Sequence, residues 1–387
     1  MTRAVGVEQR RARLGRRHGL AAGFAGPIEA AAAMVALHAT DPGTVFLSAL
    51  VRAPGTDIAA IEAALYTDRA LVRMLSMRRT VWVTPRDTAP VLQAACTRDV
   101  AAVQRKRLLL HLDVGTDLAD PPSWLAAVEQ ATVAAITERG EATAAELVSD
   151  VPDLRTRITV PGQPASQNAT SRVLLLLSAD GHMVRGRPLG SWLSTQYRWS
   201  PTTVWWDGGM PQLDADVARA ELARRWLATF GPAPASDLQW WAGWTVARTK
   251  AALAAAGAVA VTLDGGPGVA LAEDLDDEPE PEPWVALLPG LDPTPMGWQA
   301  RDWFLGPHKE PLFDRSGNIG PTLWSDGRIV GGWAHRADGT IALRLLEDVG
   351  AEVRAAIEAA AERLAARIGP GRVTPRFRTP LEKELSA

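Results

Sequence analysis

The chain has 387 residues, 47% of them hydrophobic and 22% charged, proportions that are typical of a folded globular protein and exclude a wholly disordered chain. A single cysteine, Cys96, excludes a disulfide framework, and six scattered histidines without metal-ligand spacing give no support for a zinc site. Since no stretch approaches the roughly 18 apolar residues that a membrane helix requires, we expect a cytoplasmic protein.

The net charge of −3 conceals an uneven distribution of charge along the chain. Residues 273–283 hold seven acidic residues and no basic one, whereas residues 1–115 hold 16 Lys and Arg against nine Asp and Glu, a local charge of +7. Arginine supplies 37 of the 41 basic residues. Because a guanidinium group binds phosphate through paired hydrogen bonds, this half suits a polyanionic partner, although a genome rich in G and C would also favour arginine over lysine.

Residues 1–115 are predicted to form a first unit of helices and strands. The spacing of apolar residues predicts helices over 28–38 and 58–65, a strand over 80–84, and a long helix from 87 to about 110. Because Asp41 precedes a proline, we expect the first of these helices to end between His38 and Thr40.

Residues 116–208 predict three helices followed by a two-stranded ribbon. Ser123, which follows two prolines, is a natural N-cap for the first helix, and Thr143 with Glu146 forms a capping box for the second. Alternating segments after the third helix predict the antiparallel ribbon. Three helices followed by such a ribbon, or wing, are the pattern of a winged helix-turn-helix.

Residues 209–275 repeat this order, with helices over 214–230, 236–244 and 245–256 and a hairpin whose turn is Asp264-Gly265. Residues 276–283 read DDEPEPEP, which can continue neither a helix nor the interior of a sheet. We therefore predict an exposed acidic linker between the third winged-helix unit and the rest of the chain.

Residues 284–387 change to an alternation with a period of two. The turns Asp326-Gly327 and Asp338-Gly339 separate three strand runs, which predicts a β-meander, and an amphipathic helix over 349–368 follows. The predicted fold class is α+β: three tandem winged helix-turn-helix units, then a β-rich segment and a terminal helix.

Six segments resemble the winged-helix DNA-binding family whose enzymatic members are the AlkZ-like and YcaQ-like bacterial DNA glycosylases. In chain order they are RLGRRHGL (13–20), MVALHATDP (34–42), ALYTDRALVRMLSMRR (64–79), LQWW (238–241), LLPGLDP (287–293) and DGRIVG (326–331). The resemblance spans nearly the whole chain and implies that a barrel-like C-terminal segment holds the three units around a DNA-sized cleft. It also implies a glycosylase that cuts the N-glycosidic bond of bulky or alkylated purines, including crosslinked ones, in DNA repair or toxin self-resistance.

The resemblance also places the catalytic motif. In the enzymatic relatives this motif reads Gln, a hydrophobic residue, then Gln or Asp, with His sometimes replacing the first Gln; here it is His38-Ala39-Thr40. His38 could orient or deprotonate water, and Thr40 could contribute one hydrogen bond. Because threonine lacks the charge of Asp, Asp41 or Asp292 is a candidate for a missing carboxylate. In an alternative interpretation, His38 merely caps the C-terminus of a helix.

Contacts with DNA are predicted for six further residues. They are Arg78 and Arg79 before a strand of the first unit, Asn168, Ser171 and Arg172 at the start of the third helix of the second unit, and Arg328 beside a hairpin turn. Each position has a structural alternative, as a cap, as scaffold or as a solvated hairpin tip. The tryptophans at 240, 241 and 244 favour a core over a platform for stacking bases.

The absence of several well-known catalytic and cofactor-binding motifs reduces the number of enzyme classes to which the chain could belong. No dinucleotide-binding, P-loop, α/β-hydrolase or zinc-protease motif occurs, and four lysines in total disfavour a Schiff-base lyase. We therefore predict hydrolysis without metal or cofactor, by a monomer that binds double-stranded DNA and is nucleoid-associated. A non-catalytic DNA-binding protein or transcriptional regulator is the main alternative, which the substitution at Thr40 favours, and a scaffold for protein contacts is the weaker one.

Overall fold

Short helices and strands alternate through the first part of the chain. The computed structural model describes residues 2–160, 162, 165–370 and 372–387. Up to residue 115 the elements are β1 (Arg3–Val5), α1 (Val7–Arg17), α2 (Pro27–Ala33), β2 (Leu37–His38), α3 (Pro42–Arg52), α4 (Ile58–Glu62), β3 (Leu71–Ser76), β4 (Thr80–Pro85), α5 (Ala89–Leu92) and α6 (Arg98–Gly115). The prediction of a helix over 28–38 is wrong at its end, because the chain leaves α2 and turns through Val35 at φ 62° into β2. The predicted long helix from residue 87 is divided into α5 and α6 by a π-helical turn, Gln93–Thr97.

Strands β2, β4 and β3 form an antiparallel sheet in that order, and β4 confirms the strand predicted over 80–84. His38 lies opposite Trp82, and Trp82 lies opposite Met74. Arg73 lies opposite Val83, one position further along. Since facing residues of an antiparallel pair point to the same side and neighbours along a strand alternate, His38 and Arg73 occupy opposite faces of this small sheet.

The second unit follows its prediction closely. Its elements are α7 (Pro121–Arg139), β5 (Ala142–Thr143), α8 (Ala144–Asp150), β6 (Arg157–Ile158), β7 (Gln167–Asn168), α9 (Thr170–Ala179), β8 (Met183–Pro188) and β9 (Tyr197–Pro201). Both hydrogen bonds of the capping box between Thr143 and Glu146 are present, and β8 and β9 form the predicted ribbon. The prediction of Ser123 as an N-cap is wrong, because the prolines occupy the first turn of α7 and the carboxylate of Asp120 accepts the hydrogen bond from the Ser123 N–H at 3.2 Å.

The third unit consists of three helices and a hairpin, as predicted. Its elements are α10 (Ala215–Phe230), α11 (Ala235–Ala242), α12 (Val246–Ala255), β10 (Ala258–Leu263) and β11 (Gly266–Leu271). The turn at Asp264-Gly265 is confirmed, since Leu263 pairs with Gly266 across it. The N-terminal strand β1 pairs in parallel with β10, so the first residues of the chain extend the sheet of the third unit.

The C-terminal segment contains the predicted meander. Its elements are β12 (Val285–Leu288), α13 (Pro293–Met296), α14 (Asp302–Leu305), α15 (Lys309–Leu312), β13 (Thr322–Ser325), β14 (Arg328–His335), β15 (Ile341–Leu345), α16 (Gly350–Ile368) and α17 (Pro380–Leu385). The expectation of a barrel-like segment is wrong, because the four strands form an open sheet in sequence order with β12 and β15 at its edges. Helix α16 packs against both edge strands, and its buried apolar residues include Ile357 and Leu364. The sheet is therefore covered by a helix and does not close into a barrel.

One large hydrophobic core joins the first unit, the third unit and the C-terminal segment, whereas the second unit has a core of its own. Trp241 and Trp244 lie in the large core, which confirms their interpretation as core residues. Within the described ranges, no helix has the length and apolar character needed to cross a membrane.

The acidic segment after the third unit lies against α1. Arg13 and Arg17 both form ion pairs with Asp274, at 2.9 and 2.7 Å, and Arg17 also pairs with Glu278 at 3.1 Å. Part of the positive charge that the sequence places in residues 1–115 is therefore neutralised inside the molecule, where it gives no attraction to a polyanion.

A fully buried ion pair connects α3 to the C-terminal segment. The guanidinium of Arg52 binds both carboxylate oxygens of Asp292, at 2.7 and 2.8 Å, and both side chains are 0% exposed. Ser48 donates to the same carboxylate at 2.6 Å, and the backbone N–H of Thr294 donates at 2.9 Å. Burial alone would raise the pKa of Asp292, but the charge and hydrogen bonds of Arg52 hold it below its ordinary value.

We expect Asp292→Asn to lower the free energy of unfolding by about 3–5 kcal/mol, because it leaves a buried guanidinium without its counter-charge. Asp150→Asn, which removes the partner of the exposed Arg139, is the matched control and should have a much smaller effect on the free energy of unfolding, because water screens this pair. Denaturant titration of the three proteins measures both values. Equal and small losses in the two variants would contradict this account of the buried pair.

Candidate active site and nucleic-acid interface

His38 is the last residue of β2, and Thr40 follows it in a bend just after the strand. The motif therefore places two polar side chains close together in sequence at the point where β2 ends. The ring of His38 packs edge-on against Trp82 at a centroid distance of 4.9 Å. A strand, not a helix C-terminus, therefore carries the motif, and the alternative interpretation of His38 as a helix cap is wrong.

Both side chains hold a polar atom that is buried and unpaired. His38 is 4% exposed, and among the described residues neither its Nδ1 nor the Oγ1 of Thr40 has a hydrogen-bond partner. An unpaired buried polar group costs about 1–3 kcal/mol, so proteins retain such groups mainly where a ligand or a water molecule completes them. Because these atoms also fall on the motif that the family resemblance identifies, the pair is a candidate catalytic centre.

The imidazole of His38 is neutral at physiological pH. Burial, assisted by the positive charge of Arg78, lowers the pKa of His38 to about 3. A neutral ring offers one nitrogen as a hydrogen-bond acceptor and the other as a donor. Such a low pKa makes the ring a weak base, which suits the orientation of a water molecule better than the complete removal of its proton.

The two candidate carboxylates are both engaged elsewhere. Asp41 is the N-cap of α3, where one oxygen accepts from the Gly43 N–H at 3.0 Å and the other accepts from the Arg376 N–H at 2.9 Å. Burial raises the pKa of Asp41 above its ordinary value despite these bonds. Asp292 is committed to Arg52, as described above. In this structure Asp41 fixes the end of the motif and Asp292 fixes the helix behind it.

A groove with a volume of about 610 Å³ runs between the first and second units. Its lining includes four arginines and is, among the residues that the structure describes, free of Asp and Glu. The polar and charged lining residues are Arg79, Gln104, Arg107, Gln167, Thr170, Ser171, Arg172 and Arg185. Burial and the neighbouring guanidinium groups of Arg107 and Arg79 lower the pKa of Arg172. A groove of concentrated positive charge is the electrostatic pattern expected for binding a nucleic-acid backbone.

The groove brings together three of the six residues predicted to contact DNA, namely Arg79, Ser171 and Arg172. Asn168 is exposed on β7, next to the lining residue Gln167. The other two lie apart: Arg78 stacks over the ring of Trp240 at 4.1 Å, and Arg328 forms an ion pair with Glu347 at 3.0 Å.

Two arginines that line the groove, Arg107 and Arg185, were not predicted from the sequence to contact DNA. Arg107 belongs to the basic run RKR at 105–107 in α6, and this run is a signal that could have found it. Arg185 lies in β8, where an arginine in a short ribbon has no distinctive pattern. Only the packing of the second unit against the first places both beside Arg79 and Arg172.

The comparisons with known proteins agree with this architecture. The family model described as "DNA glycosylase AlkZ-like" matches residues 31–367. Among solved structures, the Streptomyces sahachiroi DNA glycosylase AlkZ is similar to this chain with a TM-score of 0.75 and 18% sequence identity, over 96% of this chain and 99% of that chain. At that identity the similarity shows the fold. A search of the curated proteins found no match.

The chain belongs to the AlkZ-like DNA glycosylase family, because the family model covers most of its length. The prediction of a DNA glycosylase, an enzyme that acts on DNA in repair, is confirmed at this level. A regulator without catalytic activity is not favoured. The open C-terminal sheet and the mixed α+β content are compatible with the AlkZ-like fold.

The depressed pKa of His38 predicts how the ring responds to pH. Because the folded protein binds the proton only near pH 3 whereas the unfolded chain binds it near 6.5, His38 should destabilise the fold progressively as the pH falls below 6.5. NMR of the ring, assigned with His38→Gln, should show a neutral imidazole from pH 8 to about pH 4. The same variant should flatten the dependence of the unfolding free energy on pH. A titration midpoint close to 6.5 would contradict the burial argument.

Proposed function

We propose that the chain hydrolyses the N-glycosidic bond of bulky or alkylated purines in double-stranded DNA, with His38 and Thr40 at the reacting sugar. The observation that carries the proposal is the pair of buried polar atoms, Nδ1 of His38 and Oγ1 of Thr40, which lie at the end of β2 and have no hydrogen-bond partner among the described residues. They stand where the family resemblance places the catalytic motif. A substrate sugar and a water molecule would complete both groups.

The chemistry requires little acid catalysis. In a purine alkylated on its ring the base carries a positive charge, so the electron pair of the breaking C–N bond neutralises the departing base. The remaining sugar is an oxocarbenium-like cation, which a water molecule attacks. A neutral His38 can accept a hydrogen bond from that water without adding positive charge beside the cation, and the hydroxyl of Thr40 can hold the water or a sugar oxygen.

The departure from the usual motif concerns the second position. Threonine is shorter than Gln and uncharged, and the contacts of Asp41 and Asp292 described above leave neither as an obvious substitute. We infer that the enzyme depends on the leaving ability of its substrate, which favours cationic adducts over undamaged purines. Uncharged purines, whose departure needs protonation, should be poor substrates.

The groove supplies the means of binding DNA in this proposal. The helices and hairpins of 1–115, 116–208 and 209–275 act as three winged-helix units, the segment 276–283 links them to the C-terminal segment 284–387, and a monomer binds the duplex. The DNA backbone is contacted by Arg79, Ser171 and Arg172, and Asn168 lies at the edge of the groove. Arg78 is proposed to meet a phosphate near His38, and Arg328 on its hairpin to probe the minor groove. The setting would be the cytoplasm, at the nucleoid.

His38→Ala should slow single-turnover release of an N7-alkylated guanine by about tenfold to a hundredfold, and Thr40→Ala by up to about tenfold, since each removes one positioned hydrogen-bonding group. The reaction is measured on duplex DNA with saturating enzyme, and spontaneous release is subtracted. His182→Ala and Thr137→Ala, both at exposed positions, are matched controls that should retain wild-type rates. Unchanged release in His38→Ala would refute the assignment.

Arg79→Gln and Arg172→Gln should each weaken duplex binding and make its dependence on salt shallower, because each loses about one phosphate contact, or about 0.9 in the slope of log K against log salt. Arg139→Gln, outside the groove, is the control with an unchanged slope. The same assay on Arg328→Gln tests the hairpin separately. Slopes equal to that of the wild type in both groove variants would rule out the groove as the interface.

A further inference from the structure

A second, more deeply buried group of basic and phenolic side chains lies behind the groove. Arg73 in β3 is 1% exposed, and its Nη1 donates a hydrogen bond to the hydroxyl of Tyr197 in β9. Its guanidinium lies 4.8 Å from the centre of the Tyr197 ring. Its Nε and Nη2, both buried, have no hydrogen-bond partner in the ranges that the structure describes.

A second guanidinium and a second phenol surround this arginine. Arg185 lies 5.9 Å from the centre of the Tyr197 ring and also lines the groove. The charge of Arg73 contributes to lowering the pKa of Arg185, after burial, which is the larger cause. The hydroxyl of Tyr66 is buried and, within the described part of the chain, unpartnered.

Among the described residues, no acidic side chain forms a hydrogen bond with the buried arginine, although Asp41 is near enough for the charge of Arg73 to oppose the rise in pKa that burial causes there. Both oxygens of Asp41 accept backbone hydrogen bonds, from Gly43 and Arg376. The carboxylate of Glu62 pairs instead with Arg187, at 3.5 Å between Oε2 and Nη1, and the guanidinium of Arg187 stacks over the ring of Tyr66. In the described part of the chain, the N–H groups on Nε and Nη2 of Arg73 therefore have no hydrogen-bond acceptor and almost no exposure to solvent.

Such an arrangement is costly unless a ligand supplies hydrogen-bond acceptors, because buried polar groups without partners lose the hydrogen bonds that water would give them. The free donors are one edge of a guanidinium and a phenolic hydroxyl, with a second guanidinium beside them. This set matches the oxygens of a phosphate, which accept paired hydrogen bonds from arginine. We propose that Arg73, Arg185 and Tyr66 form a phosphate-binding site at the inner end of the groove.

This inference rests on the proposed function for its ligand, which would be a phosphodiester of the bound DNA reached through Arg185. A free phosphate ion offers the same oxygens and is the other source. The site is distinct from His38, because Arg73 and His38 occupy opposite faces of the same sheet.

The first test is thermal melting of the full chain in inorganic phosphate against chloride of equal ionic strength. Phosphate should raise the Tm of the wild type with saturation, and Arg73→Met should abolish the shift. Without phosphate, Arg73→Met should melt close to the wild type, since the lost hydrogen bond to Tyr197 is offset by the removal of two buried nitrogens that have no acceptor among the described residues. Arg139→Met, which removes an exposed arginine, should keep the whole shift. Should Arg73→Met fail to fold, Tyr66→Phe, which deletes only the free hydroxyl, is expected to reduce the shift.

The second test separates the two sources of phosphate by duplex binding at several salt concentrations. A shallower salt dependence in Arg73→Met, by about one phosphate contact, identifies the DNA backbone as the ligand. A lost phosphate shift with unchanged DNA binding supports the site but assigns it to free phosphate. No phosphate shift in the wild type, together with unchanged DNA binding in Arg73→Met, would overturn the proposal. Base release by the wild type is measured separately, so its failure would refute the glycosylase function without touching this site.

Discussion

The ion pair between Arg52 and Asp292 is the interaction on which the arrangement of the candidate active site depends. It joins the last turn of α3 to the start of α13, two segments that are 240 residues apart in sequence. The N-terminal end of the same helix is fixed by Asp41, which immediately follows the motif. The segment from His38 to Thr40 is therefore held at its C-terminal end by a helix that the C-terminal segment anchors. A change in the C-terminal segment should consequently reach the motif through α3.

The site that this anchoring creates combines desolvation with unsatisfied hydrogen bonds. Burial keeps His38 neutral, and the unpaired atoms of His38 and Thr40 lower the stability of the free protein. A protein can retain such unpaired groups where a bound substrate supplies their missing hydrogen bonds. A neutral, weakly basic centre fits a reaction whose leaving group already carries a positive charge, because most of the driving force then resides in the substrate and the protein has mainly to position water.

Local signals in the sequence predicted local structure well, and long-range pairing explains the failures. The capping box at Thr143 and the Asp264-Gly265 turn depend on neighbouring residues alone, and both are confirmed. The strand at His38 depends on pairing with Trp82, 44 residues away, which no local pattern encodes. For the same reason the charge of residues 1–115 gave no hint that the acidic segment neutralises Arg13 and Arg17. The motif itself was located by family resemblance, while its neutral, buried state required the packing of the folded chain.

The most direct measurement of the central claim is a crystal structure of the chain bound to duplex DNA that contains a pyrrolidine abasic nucleotide, whose ring nitrogen carries the positive charge of the oxocarbenium-like sugar. The account predicts that the His38 ring and the Thr40 hydroxyl lie within hydrogen-bond distance of the analogue or of one water molecule that touches it. An analogue bound away from His38 and Thr40, with both side chains still buried and unpaired, would contradict it.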